Sequence, residues 1–351
     1  MTASTEAVAA KAFISGCAGP RLTAEEKDFF ASEQPFGLIL FKRNCREPAE
    51  IRDLTAEFRD ATGRPGAPVF IDQEGGRVQR LQPPHWPAYP AARSLGELAE
   101  MDIEAGQRAA WLHGRLIAAD LVNLGIDVDC IPVLDVIVPS GTEAIGNRSF
   151  GPDPQLVAML GRSMADGTLA GGVLPVVKHM PGHGRALSDS HKSLPVIDAD
   201  LATLAASDFV PFAALSDLPI AMTAHVVLNA VDRDHPATAS ATVIRDIIRK
   251  RIGFDGLLVS DDVSMNALSG DYSARAASIY AAGCDLVLHC NGRTEEMREI
   301  GGAAPALGGK TRERALRALK ARQTPTPLNI EAAREEYAAL LARVGWPGRP
   351  S

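Results

Sequence analysis

LPVVKHMPGHGRALSDSH, residues 174–191, begins as a strand and runs into a loop dense in titrating groups. Its first four residues are apolar with no polar alternation, the pattern of a strand covered on both faces in a parallel sheet. The same pattern recurs on either side: AFISG (12–16), GLILF (37–41), PVFID (68–72), VDCIPV (128–133), IAMTAH (220–225), GLLVSD (256–261) and DLVLHC (285–290). Segments with helical periodicity separate these eight runs, at 23–32, 48–62, 104–124, 154–170, 202–215, 241–250, 273–282 and 295–300. Thr23 and Glu26 form a capping box, and Ile51, Leu54 and Phe58 share one helix face. Strand and helix alternating eight times predict an α/β chain folded as a (β/α)8 TIM barrel, and no GxGxxG follows an early strand to suggest a dinucleotide site.

Polar residues gather where these strands end: Lys42, Asp72, Asp135, Lys178 with His179, His225, Asp261 with Asp262, and His289 with Asn291. In a barrel such ends meet on one rim over a single ligand. The barrel is expected to fill residues 1–300. A Gly-rich, Pro-broken stretch at 301–309 then leads into charged helical pieces at 310–322 and 331–344. Residues 301–351 are therefore read as a helical extension packed on the barrel, not a second domain.

The chain has 351 residues, 46% hydrophobic and 23% charged, which suits a soluble globular protein with a sizeable core. Its 36 Lys and Arg against 43 Asp and Glu give a formal charge of −7, with no basic face in view, so nucleic acid is not an expected partner. Five scattered cysteines lack the CxxC spacing of a zinc or redox centre. No apolar run is long enough to span a bilayer. Ile14 to Cys17 resembles a lipoprotein cleavage box, but Glu6 stands where a basic segment belongs and Lys11 interrupts the apolar stretch. The expected location is the cytoplasm, with reduced thiols, and the expected state a monomer.

Four segments carry candidate chemistry. KHMPGHGRALSDSH (178–191) holds His179, His183, Asp189 and His191, adequate zinc ligands in type. Their spacing fits neither HExxH nor a zinc finger, and Lys178 places positive charge beside any cation, so neither metal nor cofactor is expected. Asp189 and His191 lie two apart, so in an extended loop a carboxylate can hold the imidazole as an acid/base pair; a loop-stabilising hydrogen bond is the alternative. In VSDDVSM (259–265), strand alternation puts Asp261 on the face of Leu257 and Val259 and turns Asp262 elsewhere, unless both aspartates are helix caps. One inward carboxylate facing one acid/base group is a glycosidase arrangement. In FIDQEGGRVQRL (70–81), Asp72 can accept from sugar hydroxyls and Arg77 or Arg80 can fix a ring substituent, while AIGNRSFG (144–151) offers Arg148 as a binding cation.

Taken together, IDQEGGRVQRL, GNRSFG, KHMPGHGRALSDSH and SDDVSM resemble, in order, the signatures of glycoside hydrolase family 3, specifically its bacterial single-domain β-N-acetylhexosaminidases of cell-wall recycling. The closing DSH separates that group from the family's two-domain β-glucosidases, whose acid is a Glu on a second domain that is not expected here. The resemblance implies Asp261 as nucleophile, His191 as acid/base with Asp189 as its partner, and sugar binding by Asp72, Arg80, Arg148, Lys178 and His179. It also implies a substrate of GlcNAc β-1,4-linked to anhydro-N-acetylmuramic acid, with or without stem peptide. Two rival readings stay open: transfer to phosphate, which a His acid/base would not repel as a Glu would, and a metal-dependent hydrolase built on His179, His183 and His191.

Overall fold

Each of the eight apolar runs forms a strand in the computed structural model, which describes residues 10–139, 141, 143–186 and 194–347. They are β1 (Lys11–Ser15), β2 (Pro35–Leu40), β3 (Val69–Ile71), β4 (Val128–Asp129), β5 (Leu174–Met180), β6 (Ile220–Thr223), β7 (Leu257–Asp262) and β8 (Leu286–His289). Every strand pairs in parallel with its neighbours in sequence, and β8 closes on β1. The fold is the expected (β/α)8 barrel.

Alternation along the strands sorts the core into two layers. Ile14, Phe70, Val176, Met222, Val259 and Leu288 point inward and fill the barrel. Phe13, Leu40, Ile71, Val177, Leu258 and Val287 point outward against the surrounding helices. Continuing the inward set by two residues past Phe70, Val176 and Val259 reaches Asp72, Lys178 and Asp261, so the pleat that fills the barrel also sets charges at its mouth. The opposite end is closed by Leu307 and, from helix Gly309–Lys320, by Ala315 and Ala318, whose small side chains let that helix sit close beneath the strands. Helix Ile330–Ala342 lies against helix Ile103–Val122, joined by Arg108 to Glu336 at 2.7 Å and by buried Tyr337 to His113.

Local differences from the sequence reading have local causes. β4 stops at Asp129 because Pro132 has no N–H to donate, and pairing with β5 resumes at Val133. The helix expected at 202–215 is two pieces, Leu201–Ala206 and Val210–Ala214, with Pro211 in the first turn of the second, where its missing N–H is tolerated. A further helix, Ala92–Met101, follows the proline-rich stretch ending at Pro90. The Thr23 capping box forms as read, with the Glu26 N–H donating to Thr23 Oγ1 at 3.1 Å and the Thr23 N–H to Glu26 Oε2 at 2.8 Å. Among the described residues no helix is long and apolar enough to cross a membrane.

Candidate active site

A cavity of about 230 Å³ opens at the C-terminal end of the strands, lined by charged residues from five loops or strand ends. Asp72 and Arg80 come from the segment after β3, Arg148 from that after β4, Lys178, His179 and His183 from β5 and its loop, and Asp261 from β7. These are six of the eight expected site residues plus His183. The other two, Asp189 and His191, lie outside the described residues.

The cations are paired in a chain across the cavity. Lys178 Nζ reaches Asp72 Oδ1 at 2.8 Å and Glu74 Oε1 at 2.6 Å. Arg80 Nη2 meets Asp72 Oδ2 at 3.0 Å, and Arg148 grips Glu74 with Nε at 2.8 Å and Nη2 at 2.7 Å. Burial alone would raise both carboxyls, but Lys178 with Arg80 holds Asp72 far below its usual range, and Arg148 with Lys178 brings Glu74 down to about 2. Both are anions. Each Asp72 oxygen spends one lone pair on a cation and keeps another for a hydroxyl. Arg80 Nε is buried with no hydrogen-bond partner among the described residues.

Asp261 differs from these. Among the described residues it makes no ion pair; its Oδ1 accepts the Asp262 N–H at 2.7 Å. Burial pushes its carboxyl up, but His179, His225 and that N–H bond reverse the effect and hold it below its ordinary value. It is therefore an uncommitted carboxylate facing the cavity. Asp262 is spent on the turn, accepting from the Ser264 N–H at 3.0 Å and the Cys290 N–H at 3.2 Å. His225 Nε2 donates to the Asp262 carbonyl at 3.0 Å, and since a carbonyl only accepts, this bond sets the tautomer.

Asp135 fixes the first part of the long loop. His179 Nδ1 donates to Asp135 Oδ2 at 2.7 Å, and the His183 N–H to Oδ1 at 2.7 Å. That leaves His179 Nε2 facing Arg148 Nη2 at 3.5 Å. Gly184 presses on the backbone of Val136, where a Cβ would sit 2.0 Å from the carbonyl oxygen. Burial drives His183 down to about 4, against the pull of Asp135, so this ring is neutral at neutral pH. Among the described residues no three His, Cys, Asp or Glu side chains gather as a metal site would require.

Two features escaped the sequence reading. Glu74 sits inside the quoted IDQEGG motif, yet its role as the joint between Arg148 and Lys178 has no signature in spacing, because it depends on a tight ribbon, Gln73–Gly75 with Val78–Gln79. Gly75 makes that ribbon possible: its φ is +97° and a Cβ would meet the Pro90 carbonyl oxygen at 2.2 Å. The paired arginines also divide their work. Arg80 faces Asp72 and the cavity, whereas Arg77 turns outward and donates to the carbonyls of Glu143 and Ala144, both at 2.6 Å, clamping the loop that carries Arg148.

Comparison with known proteins agrees with this architecture. The Glycosyl hydrolase family 3 N terminal domain matches residues 6–321. The β-hexosaminidase of Bordetella avium is 40% identical over 278 residues, 78% of this chain and 79% of that protein. That of Aromatoleum aromaticum is 36% identical over 319 residues, 90% of this chain and 88% of that protein. Native NagZ from Neisseria gonorrhoeae superposes with a TM-score of 0.84 at 33% identity, covering 98% of this chain and 99% of that one. Its complex with N-trifluoroacetyl-D-glucosamine gives 0.83 at 33% identity, over 96% and 98%.

Proposed function

The chain belongs to glycosyl hydrolase family 3 and is a glycosidase of the β-hexosaminidase type, and from that premise we propose that it removes terminal non-reducing GlcNAc from β-1,4-linked anhydro-N-acetylmuramic acid, with or without stem peptide, in peptidoglycan recycling. The observation that carries this reading is the anionic Asp261 carboxylate, unpaired among the described residues and facing a cavity whose other described charges are already matched. A retaining mechanism follows from it. An Asp261 oxygen bonds to the anomeric carbon as the bond from that carbon to the departing oxygen breaks, and His191 as imidazolium protonates that oxygen. His191 then takes a proton from water, which attacks the anomeric carbon and frees Asp261. Asp189 is assigned the task of holding His191, and Asp72, Arg80, Arg148, Lys178 and His179 that of holding the sugar. Asp72 accepts hydrogen bonds from sugar hydroxyls with its spare lone pairs.

We assign the catalytic barrel to residues 1–300 and the helical extension to residues 301–351, and place the enzyme in the cytoplasm as a monomer. Water is the acceptor in this reading. The purified protein should release GlcNAc from GlcNAc-β-1,4-anhydro-N-acetylmuramic acid, followed by mass spectrometry. An intact disaccharide alongside cleavage of p-nitrophenyl β-GlcNAc would remove the muropeptide assignment and keep the glycosidase one. GlcNAc 1-phosphate appearing in phosphate buffer would replace hydrolysis by phosphorolysis.

A further inference from the structure

Behind the cavity wall, away from its charged mouth, lies a buried aromatic cluster that the reaction itself does not use. Tyr89, His113 and Tyr337 pack edge-on, with ring centroids 5.5 Å apart for Tyr89 and His113 and 6.0 Å for His113 and Tyr337. His113 comes from helix Ile103–Val122 and Tyr337 from helix Ile330–Ala342, beyond the end of the family match. His113 Nε2 lies 2.8 Å from the backbone carbonyl of Glu74, which can only accept, so Nε2 carries the proton. Burial drives this histidine down to about 4, so at neutral pH its Nδ1 is an acceptor, and the Tyr337 hydroxyl donates to it at 2.6 Å. The same cluster holds the ribbon a second time, since the Gly76 N–H donates to the Tyr89 carbonyl at 2.9 Å. Arg334, also from the last helix, donates to Asp120 at 2.6 Å and to the Tyr89 hydroxyl at 3.2 Å.

We infer that Tyr337 and His113 are positioning residues for substrate binding: the last helix fixes the His113 ring, His113 fixes the Glu74 backbone, and Glu74 in turn sets Arg148 and Lys178 in the cavity. The chain of contact is continuous, running from Tyr337 Oη through the imidazole to the Glu74 carbonyl, and from the Glu74 carboxylate to Arg148 and Lys178. This makes the C-terminal helix part of the binding apparatus. The inference rests on the reading of the cavity as the sugar site.

The test measures kcat and KM on p-nitrophenyl β-GlcNAc, with melting temperatures recorded beside them. Tyr337→Phe keeps the ring and loses the donor. His113→Asn places its amide near Nδ1 and cannot reach the Glu74 carbonyl, whereas His113→Gln places an N–H near Nε2 and can. Y337F and H113N should raise KM about fivefold with kcat within about twofold of wild type, the loss of one buried hydrogen bond expressed as uniform binding. H113Q, which regains the donor to the Glu74 carbonyl but not the acceptor for Tyr337, should bring KM only part of the way back, to about two- to threefold above wild type. Glu336→Gln removes the surface pair with Arg108 on the same helix and should leave KM unchanged even where it lowers the melting temperature. Wild-type KM in folded Y337F and H113N, or equal KM in H113N and H113Q, would overturn the inference. A wild-type protein inactive on every β-GlcNAc donor would instead overturn the reading of the site.

Discussion

Replacing Glu74 by Gln keeps the shape of the joint between Arg148 and Lys178 and removes its charge. Lys178 retains Asp72, but Arg148 loses the carboxylate that engages it twice. The drop of Glu74 from 4.5 to about 2 corresponds to roughly 3 kcal/mol of stabilisation at neutral pH. Breaking a buried ion pair by altering one partner costs about 3–5 kcal/mol, and the Gln oxygen recovers part of that, so about 3 kcal/mol is the expected loss. At about 2 °C per kcal/mol for a chain of this size, the melting temperature should fall by about 6 °C. The pH dependence has a fixed sign. A carboxyl depressed in the folded state stabilises fully above its unfolded value of 4.5 and loses that contribution as pH falls toward about 2. Melting curves of both proteins at steps from pH 7 to pH 3 should show a gap constant above about pH 5 and narrowing below it. Equal melting temperatures at pH 7, or a gap that ignores acid, would refute the account of the charge chain.

Other perturbations separate roles within the site. Asp261→Asn should cut kcat on p-nitrophenyl β-GlcNAc by at least about 10³-fold with KM little changed, whereas Asp262→Asn should act on stability through the turn at Ser264. A 10³-fold kcat loss confined to the latter would exchange the two assignments. Gly184→Ala drives a Cβ into the Val136 carbonyl oxygen, and the displaced loop should lower kcat/KM by about 10²-fold with an unchanged circular dichroism spectrum. Dialysis against a chelator should leave turnover intact; loss restored by zinc would favour the metal-dependent reading.

The barrel was legible because each strand is an uninterrupted apolar run and the pleat has a fixed period of two. The same period separated Asp261 from Asp262: the first continues the inward face of Leu257 and Val259, and the second falls on the turn. Spacing carried no such information for Glu74, Asp135 or Arg77. Glu74 and Arg77 act through a tight ribbon, and Asp135 acts across strands on His179 and the His183 backbone, contacts that close only in three dimensions. Helix breaks at Pro211 were readable in principle, but the apolar periodicity through 202–215 masked them. The Tyr337 to His113 contact joins residues 224 positions apart, which no local pattern encodes.

The proposed mechanism turns on which carboxylate becomes glycosylated. Incubation with a 5-fluoro-GlcNAc donor, proteolysis and mass spectrometry of the peptides should find the sugar on Asp261, with inactivation in step with labelling. A sugar on Asp262, or full turnover of the fluorinated donor by D261N, would contradict it.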